Sequence, residues 1–187
     1  MAFVVVYDAC VLYPAHLRDL LIRVAEAGLV QAKWTEEILD ETFRSIQKNN
    51  PDLDTGRLER TRELMNAAIP DCLVENYDGL ADGIELPDED DRHVLAAAVR
   101  SGAQVIVTVN TKDFPETALG PLGIETQEPD MFIRHLIDLT PGRIQEVIQE
   151  QAADLINPPM STEELLNLLL NRGLVLSVAE IKTRLGF

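Results

Sequence analysis

Cysteine is scarce. The 187 residues hold only Cys10 and Cys72, which excludes a disulfide framework and a four-thiolate zinc site. Both lie in apolar surroundings and read as buried small hydrophobes. Aromatic residues make up 5%, too few for a base-stacking platform. Trp34 reads as a hydrophobic anchor, and His16, His93 and His135 are scattered without metal-ligand spacing, so His93 is expected to be a packed or surface residue. Positive charge is also short. Sixteen Lys and Arg stand against 32 Asp and Glu, a net of −16, which excludes a generic binder of nucleic-acid backbone. No apolar run approaches the ~20 residues of a membrane helix. The chain opens on MAFVVVYDAC, with no basic stretch or cleavage signal ahead of the apolar run, so a cytoplasmic protein without membrane association is expected.

What is present suits a folded α/β chain. Hydrophobic residues reach 46% and charged residues 26%, enough apolar material for a sizeable core in one domain with an appendage. Residues 1–130 hold 25 acids and 11 bases, a net of −14, whereas residues 131–187 carry only −2. Phe3–Tyr7 and Val105–Val109 are short β-branched runs of the kind buried on both faces of a parallel sheet. A further strand is expected near Cys72–Glu75. Helices are expected over His16–Ala27, from the Thr35 cap to Asn49, over Thr55–Ala68, and from Asp91 to Arg100. Beyond Pro129 the pattern turns helical. Pro141 opens one helix, and Ser161 with Glu164 and Ser177 with Glu180 read as capping boxes. The expected division is a domain over 1–130 and a helical extension over 131–187.

Carboxylates collect at strand ends. Asp8 follows the first run, Asn110 follows the second, and Asp113 lies three residues on. Asp88 and Asp91 open the helix that feeds the second strand. Each alone reads equally as a turn or a helix cap. Together, at the ligand-binding end of a parallel sheet, they repel one another and call for a cation. Oxygen donors without nearby thiols or paired histidines suit Mg²⁺ or Mn²⁺.

These residues carry a resemblance. Asp8 after the first strand, Glu41 within Thr35–Glu41, the segment Leu86-Pro-Asp88-Glu-Asp-Asp91-Arg-His-Val-Leu-Ala-Ala-Ala, and Thr108-Val-Asn110-Thr-Lys-Asp113-Phe114 occur in the order of the four acidic motifs of PIN-domain nucleases. The set covers roughly residues 1–130 and is most similar to bacterial VapC-type toxins of type II toxin–antitoxin pairs. The resemblance implies a three-layer fold with a central parallel sheet between helices. It implies a Mg²⁺- or Mn²⁺-dependent endoribonuclease, restrained by a cognate antitoxin and expected as a homo-oligomer.

Asp8, Glu41 and Asp91 are then the expected direct or water-mediated metal ligands. Asp88, Asn110 and Asp113 would be supporting ligands or orienting groups, with Asp113 also among the expected catalytic residues. Asn110 stands where many relatives have Asp, which leaves its division of labour with Asp113 open. Glu37, one turn before Glu41, is the competitor for its role. Thr108 is expected to contact phosphate or a carboxylate, or simply to pack. Arg44, Lys48, Arg57, Arg60 and Arg62 offer phosphate contacts, with ion pairs to Glu59 and Glu63 as the equal alternative. A catalytically silent PIN-like binding module is the competing function. A phosphotransferase opening on Asp after a strand would need a second Asp where Cys10 stands.

Overall fold

The run Phe3–Tyr7 forms strand β1, and its Val5, Val6 and Tyr7 are fully buried. Helices cover both faces of the sheet, so every side chain of a central strand needs an apolar partner, and an unbroken β-branched run meets that need. The computed structural model describes residues 3–186. Four parallel strands, β1, β2 (Val30–Lys33), β3 (Val105–Val107) and β4 (Glu125–Gln127), lie in the order β2-β1-β3-β4. Val5 of β1 sits opposite Ala32 of β2 on one side and Val105 of β3 on the other. The chain therefore leaves β1 toward one edge and returns to its other flank. A crevice opens at the carboxyl ends of β1 and β3, where the winding reverses.

The connecting helices are α1 (Ala9–Leu12), α2 (Ala15–Glu26), α3 (Glu36–Asn49), α4 (Thr55–Ala68), α5 (Asp78–Ala81), α6 (Arg92–Ser101) and α7 (Glu116–Leu119). Thr35 caps α3 by accepting from the Ile38 amide at 3.0 Å, and Glu36 and Glu37 place negative charge at the positive end of the helix. Gly102 ends α6 at φ 67°, a left-handed turn that carries the chain into β3 without a Cβ penalty.

Strand lengths differ from expectation. The segment 72–75 contributes only a bridge between Leu73 and Trp34, because Asp71 and Asn76 on either side take left-handed φ of 57° and 59° and end the extended run. The run from Val105 stops at Val107, although the Thr108 amide still donates to the Gln127 carbonyl at 3.1 Å. Strands β2 and β4 were not expected. Their sequences, VQAK and ETQ, are short and partly polar, which an edge strand tolerates because only one flank is paired.

After β4 come α8 (Pro129–Leu139), α9 (Pro141–Asp154), α10 (Thr162–Asn171) and α11 (Val175–Leu185). They fold back onto α2. Gln151 of α9 is fully buried and donates to the His16 carbonyl at 2.9 Å, while Leu165, Leu166 and Leu169 of α10 join the same apolar cluster as the sheet. The Ser161–Glu164 capping box is present. The Ser177–Glu180 box is not. Helix α11 begins at Val175, so Ser177 lies inside it, and the carboxylate of Asp130 on α8 accepts from the Leu176 and Ser177 amides at 2.9 and 2.8 Å. A tertiary acceptor has replaced the local cap. Among the described residues, no helix is long and apolar enough to cross a membrane.

Candidate active site

Asp8 leaves β1 in extended geometry and caps the short helix α1, its Oδ1 accepting from the Ala9 amide at 2.6 Å. It is 3% exposed. A carboxylate so deeply placed costs several kcal/mol unless donors surround it. Here the donors are Thr108, whose Oγ1 donates to Asp8 Oδ2 at 2.6 Å, and the Cys10 thiol at 3.1 Å. Thr108 also accepts from the Asn110 amide at 3.0 Å, so one hydroxyl ties the end of β1 to the loop leaving β3. Of the readings open for Thr108, contact with a carboxylate is the one realised.

Asp8, Glu41, Asp91 and Asn110, from four separated segments, line one cavity of about 530 Å³ at this end of the sheet. Burial and the charges of Asp8, Asp88, Asp113 and Glu41 push the Asp91 carboxyl up to about 6. Asp88 and Asp113 act on Asp91 through charge but lie outside the cavity lining. Asp88 is exposed and caps the turn over Glu89–Asp91, accepting from the Asp90 amide at 3.0 Å, while Asp113 sits in a turn of its own over Thr111–Asp113. Glu41 lines this cavity and a neighbouring one; Glu37 lines only the neighbour and accepts from the Tyr77 hydroxyl at 3.1 Å.

Among the described residues, no three His, Cys, Asp or Glu side chains are gathered closely enough to hold a metal ion as they stand. The chemistry of the donor set nonetheless fits a hard divalent cation. Asp8, Glu41, Asp91 and Asn110 bring oxygen donors to the cavity, and burial together with the neighbouring carboxylates raises the Asp91 carboxyl, a penalty that a bound cation would relieve.

Two residues acquire parts that their spacing did not suggest. His93, on the first turn of α6, is 6% exposed rather than on the surface, and it is more than a packing residue. Its Nε2 lies 3.4 Å from Glu41 and its Nδ1 lies 3.7 Å from Glu37. Burial alone would lower its pKa, but the two glutamates outweigh burial and raise it. Glu37 and Glu41 lie one turn apart on α3, so their common face was legible; that α6 delivers an imidazole to that face was not. Cys10 is half-buried beside the cavity rather than a simple hydrophobe, and burial together with the Asp8 charge pushes its thiol up to about 12. The thiol is therefore held neutral.

The basic residues divide. Arg60 pairs with Glu63 at 2.9 Å, and Arg62 reaches across to Glu36 and Asp40 of α3. Arg44 faces both the carboxylate cavity and its neighbour, and among the described residues no carboxylate lies within ion-pair distance of it. Lys48 lines neither cavity.

A family model described as the PIN domain matches residues 4–112, and one described as the VapC50 C-terminal domain matches residues 129–183. A curated protein of Mycobacterium tuberculosis (strain ATCC 25618 / H37Rv), named "Putative ribonuclease VapC50", is 46% identical over 79 residues, which are 42% of this chain and 47% of that relative. The chain thus matches about half the length of that curated relative. No solved structure matches. The strand-end acids, the parallel sheet between helices and a family match over more than half of its length agree: this chain belongs to the PIN-domain family.

Proposed function

We propose that the chain is a metal-dependent endoribonuclease and the toxin of a toxin–antitoxin pair. One observation carries the reading. Four segments remote in sequence deliver Asp8, Glu41, Asp91 and Asn110 to a single cavity at the winding reversal of the sheet. The likeness to the ribonuclease-named relative supports RNA as the polymer that is cut. The match of residues 129–183 to the family model described as the VapC50 C-terminal domain supports the division into a nuclease domain over 1–130 and a helical extension over 131–187.

Asp8, Glu41 and Asp91 would hold a divalent cation, Mg²⁺ or Mn²⁺, with Asn110 offering a neutral oxygen or an amide donor. A bound cation supplies positive charge at the phosphate oxygens and acidifies an attacking water. The protein's own part is orientation. Asp8 is held on both oxygens by Ala9, Thr108 and Cys10, so its free lone pairs point in a fixed direction. When protonated, His93 steadies Glu41 through an ion pair at 3.4 Å. Asp88 and Asp113 add negative potential that draws a cation to Asp91.

The test is cleavage of RNA in Mg²⁺ or Mn²⁺, together with growth arrest on expression in a bacterial host. Asp8→Ala and Asp91→Ala should each lose both. Full activity in both variants would overturn the site. A cognate antitoxin should relieve the arrest, and size-exclusion chromatography should show a homo-oligomer. Asn110 removes one charge from the acidic set and favours a second reading, a silent PIN-like binding module. Isothermal titration decides it: no Mg²⁺ or Mn²⁺ binding by the wild type, and no change on Asp8→Asn, would support the module.

A further inference from the structure

Part of the cavity lining is polar and belongs to none of the carboxylates. It consists of Tyr13 at the end of α1 and Arg44, Ser45 and Asn49 on α3. Residues 41, 44, 45 and 49 follow a helical spacing of three and four, so they form one stripe that runs from Glu41 roughly 12 Å along α3, longer than one nucleotide. Asn49 donates from Nδ2 to the Tyr13 hydroxyl at 3.2 Å, which links α3 to the end of α1 and leaves the Asn49 amide oxygen and the Tyr13 proton free.

Arg44 is the decisive member. It stands among acids, lining the cavity of Asp8, Glu41 and Asp91 and also the neighbouring one of Glu37, Asp78 and Glu89, yet among the described residues it pairs with none. Nearby Arg62 is taken by Glu36 and Asp40. An unpaired guanidinium at the rim of an anionic cavity is a fork for an incoming phosphate. It also lowers the repulsion that a polyanion would meet on approaching these acids.

We propose that Tyr13, Arg44, Ser45 and Asn49 form the nucleotide-binding subsite of the cavity. Arg44 takes the phosphate flanking the one that is cut in a single-stranded RNA, and Tyr13 with Asn49 contacts the adjoining base. The subsite deepens the ribonuclease reading and rests on it. The base contact makes cutting position-dependent, because an amide oxygen and a phenol proton match some base edges and not others.

The experiment measures KM, kcat and cleavage position on short single-stranded RNAs, with circular dichroism to check folding. Arg44→Ala should raise KM at least tenfold while kcat stays within about threefold, and should reduce the slope of log KM against log salt by about one. Arg44→Lys should restore the slope but only part of KM. Asn49→Ala and Tyr13→Leu should change which nucleotide is preferred beside the cut. Lys182→Ala, which removes the same charge from α11, should leave KM unchanged. Unaltered KM, salt slope and preference in active, folded variants would overturn the subsite alone. If the wild type cuts no RNA, fluorescence anisotropy with a labelled oligonucleotide replaces KM. No binding by the wild type would then overturn both readings, and equal binding by Arg44→Ala would overturn only this one.

Discussion

Thr108 donates its hydroxyl to Asp8 across 2.6 Å and so joins the carboxyl ends of β3 and β1, strands that meet in the sheet but lie 100 residues apart in the chain. Both side chains are buried, at 0% and 3% exposure. The bond is therefore shielded from water and stronger than a surface contact of the same length. It also fixes which way Asp8 presents its remaining lone pairs.

Thr108→Val keeps the branched shape that packs in the strand and removes only the hydroxyl. The buried carboxylate then loses a donor, and stability should fall by about 1–3 kcal/mol. RNA cleavage should fall by about tenfold, because Asp8 is no longer aimed. Urea denaturation and initial rates check this, and a variant with both unchanged would show that the bond is incidental.

Asp91 links function to a cost in stability. Its carboxyl is raised to about 6 from an ordinary value of 3.8, so the folded state binds the proton more tightly than the unfolded chain. Between those values the native protein holds more protons, and its stability falls as pH rises. Above about pH 6 the full penalty is present; below pH 3.8 it is gone. Asp91→Asn removes it and should stabilise the metal-free protein at pH 7.5 by about 1 kcal/mol, a figure discounted for solvent screening. Thermal melts in chelator should show the gain at pH 7.5 and lose it toward pH 4, while the same variant loses RNA cleavage.

His93 shifts in the stabilising direction. Its pKa is raised because Glu41 and Glu37 favour the imidazolium more than burial opposes it. A histidine raised in the fold contributes stability that is complete below its unfolded value of 6.5 and is lost as pH climbs through the folded value. His93→Gln should remove that part of the pH dependence in metal-free protein. NMR titration of the His93 ring in wild type should give a midpoint above 6.5. A midpoint below it would mean that burial wins and that the imidazole does not steady Glu41.

The C-terminal helices share the core of the sheet domain, so a cut before α10 is expected to unfold more than the tail. Leu166 is fully buried in the common cluster. Leu166→Ala should cost about 2–5 kcal/mol. It should do so in one cooperative transition that also removes the tertiary signal of Trp34, which is fully buried against Tyr7 beside the sheet. Separate transitions for the two regions would contradict a shared core. Asp130→Ala, which uncaps α11, should cost about 1 kcal/mol.

Much of the architecture was readable along the chain. The β-branched run at Phe3–Tyr7, the strand within the run expected over Val105–Val109, the Thr35 cap and the Ser161–Glu164 box follow from local preference, which acts on residues a few positions apart. Asp8 was legible as a strand-end group because a parallel sheet exposes its ligands there, whereas Asn110, expected directly after a strand, lies in the loop beyond β3, which ends at Val107. Three features were not legible, for one physical reason: each depends on which surfaces pack together. Strands β2 and β4 exist as edges because β1 and β3 supply the pairing that their own sequences barely favour. Ser177 lies within α11 because Asp130, 47 residues earlier, satisfies the orphan amides instead. The ordered motifs already pointed to Asp8, Glu41, Asp91 and Asn110 as one set, but that His93 of α6 stands beside Glu41 and that Arg44 lines the same cavity without an ion pair was decided by tertiary packing. The sequence by itself determined the kinds of donor and the elements that carry them. Only the folded chain decided which carboxylates face one another, because repulsion among them is overcome by the burial of the core and not by any preference of their own.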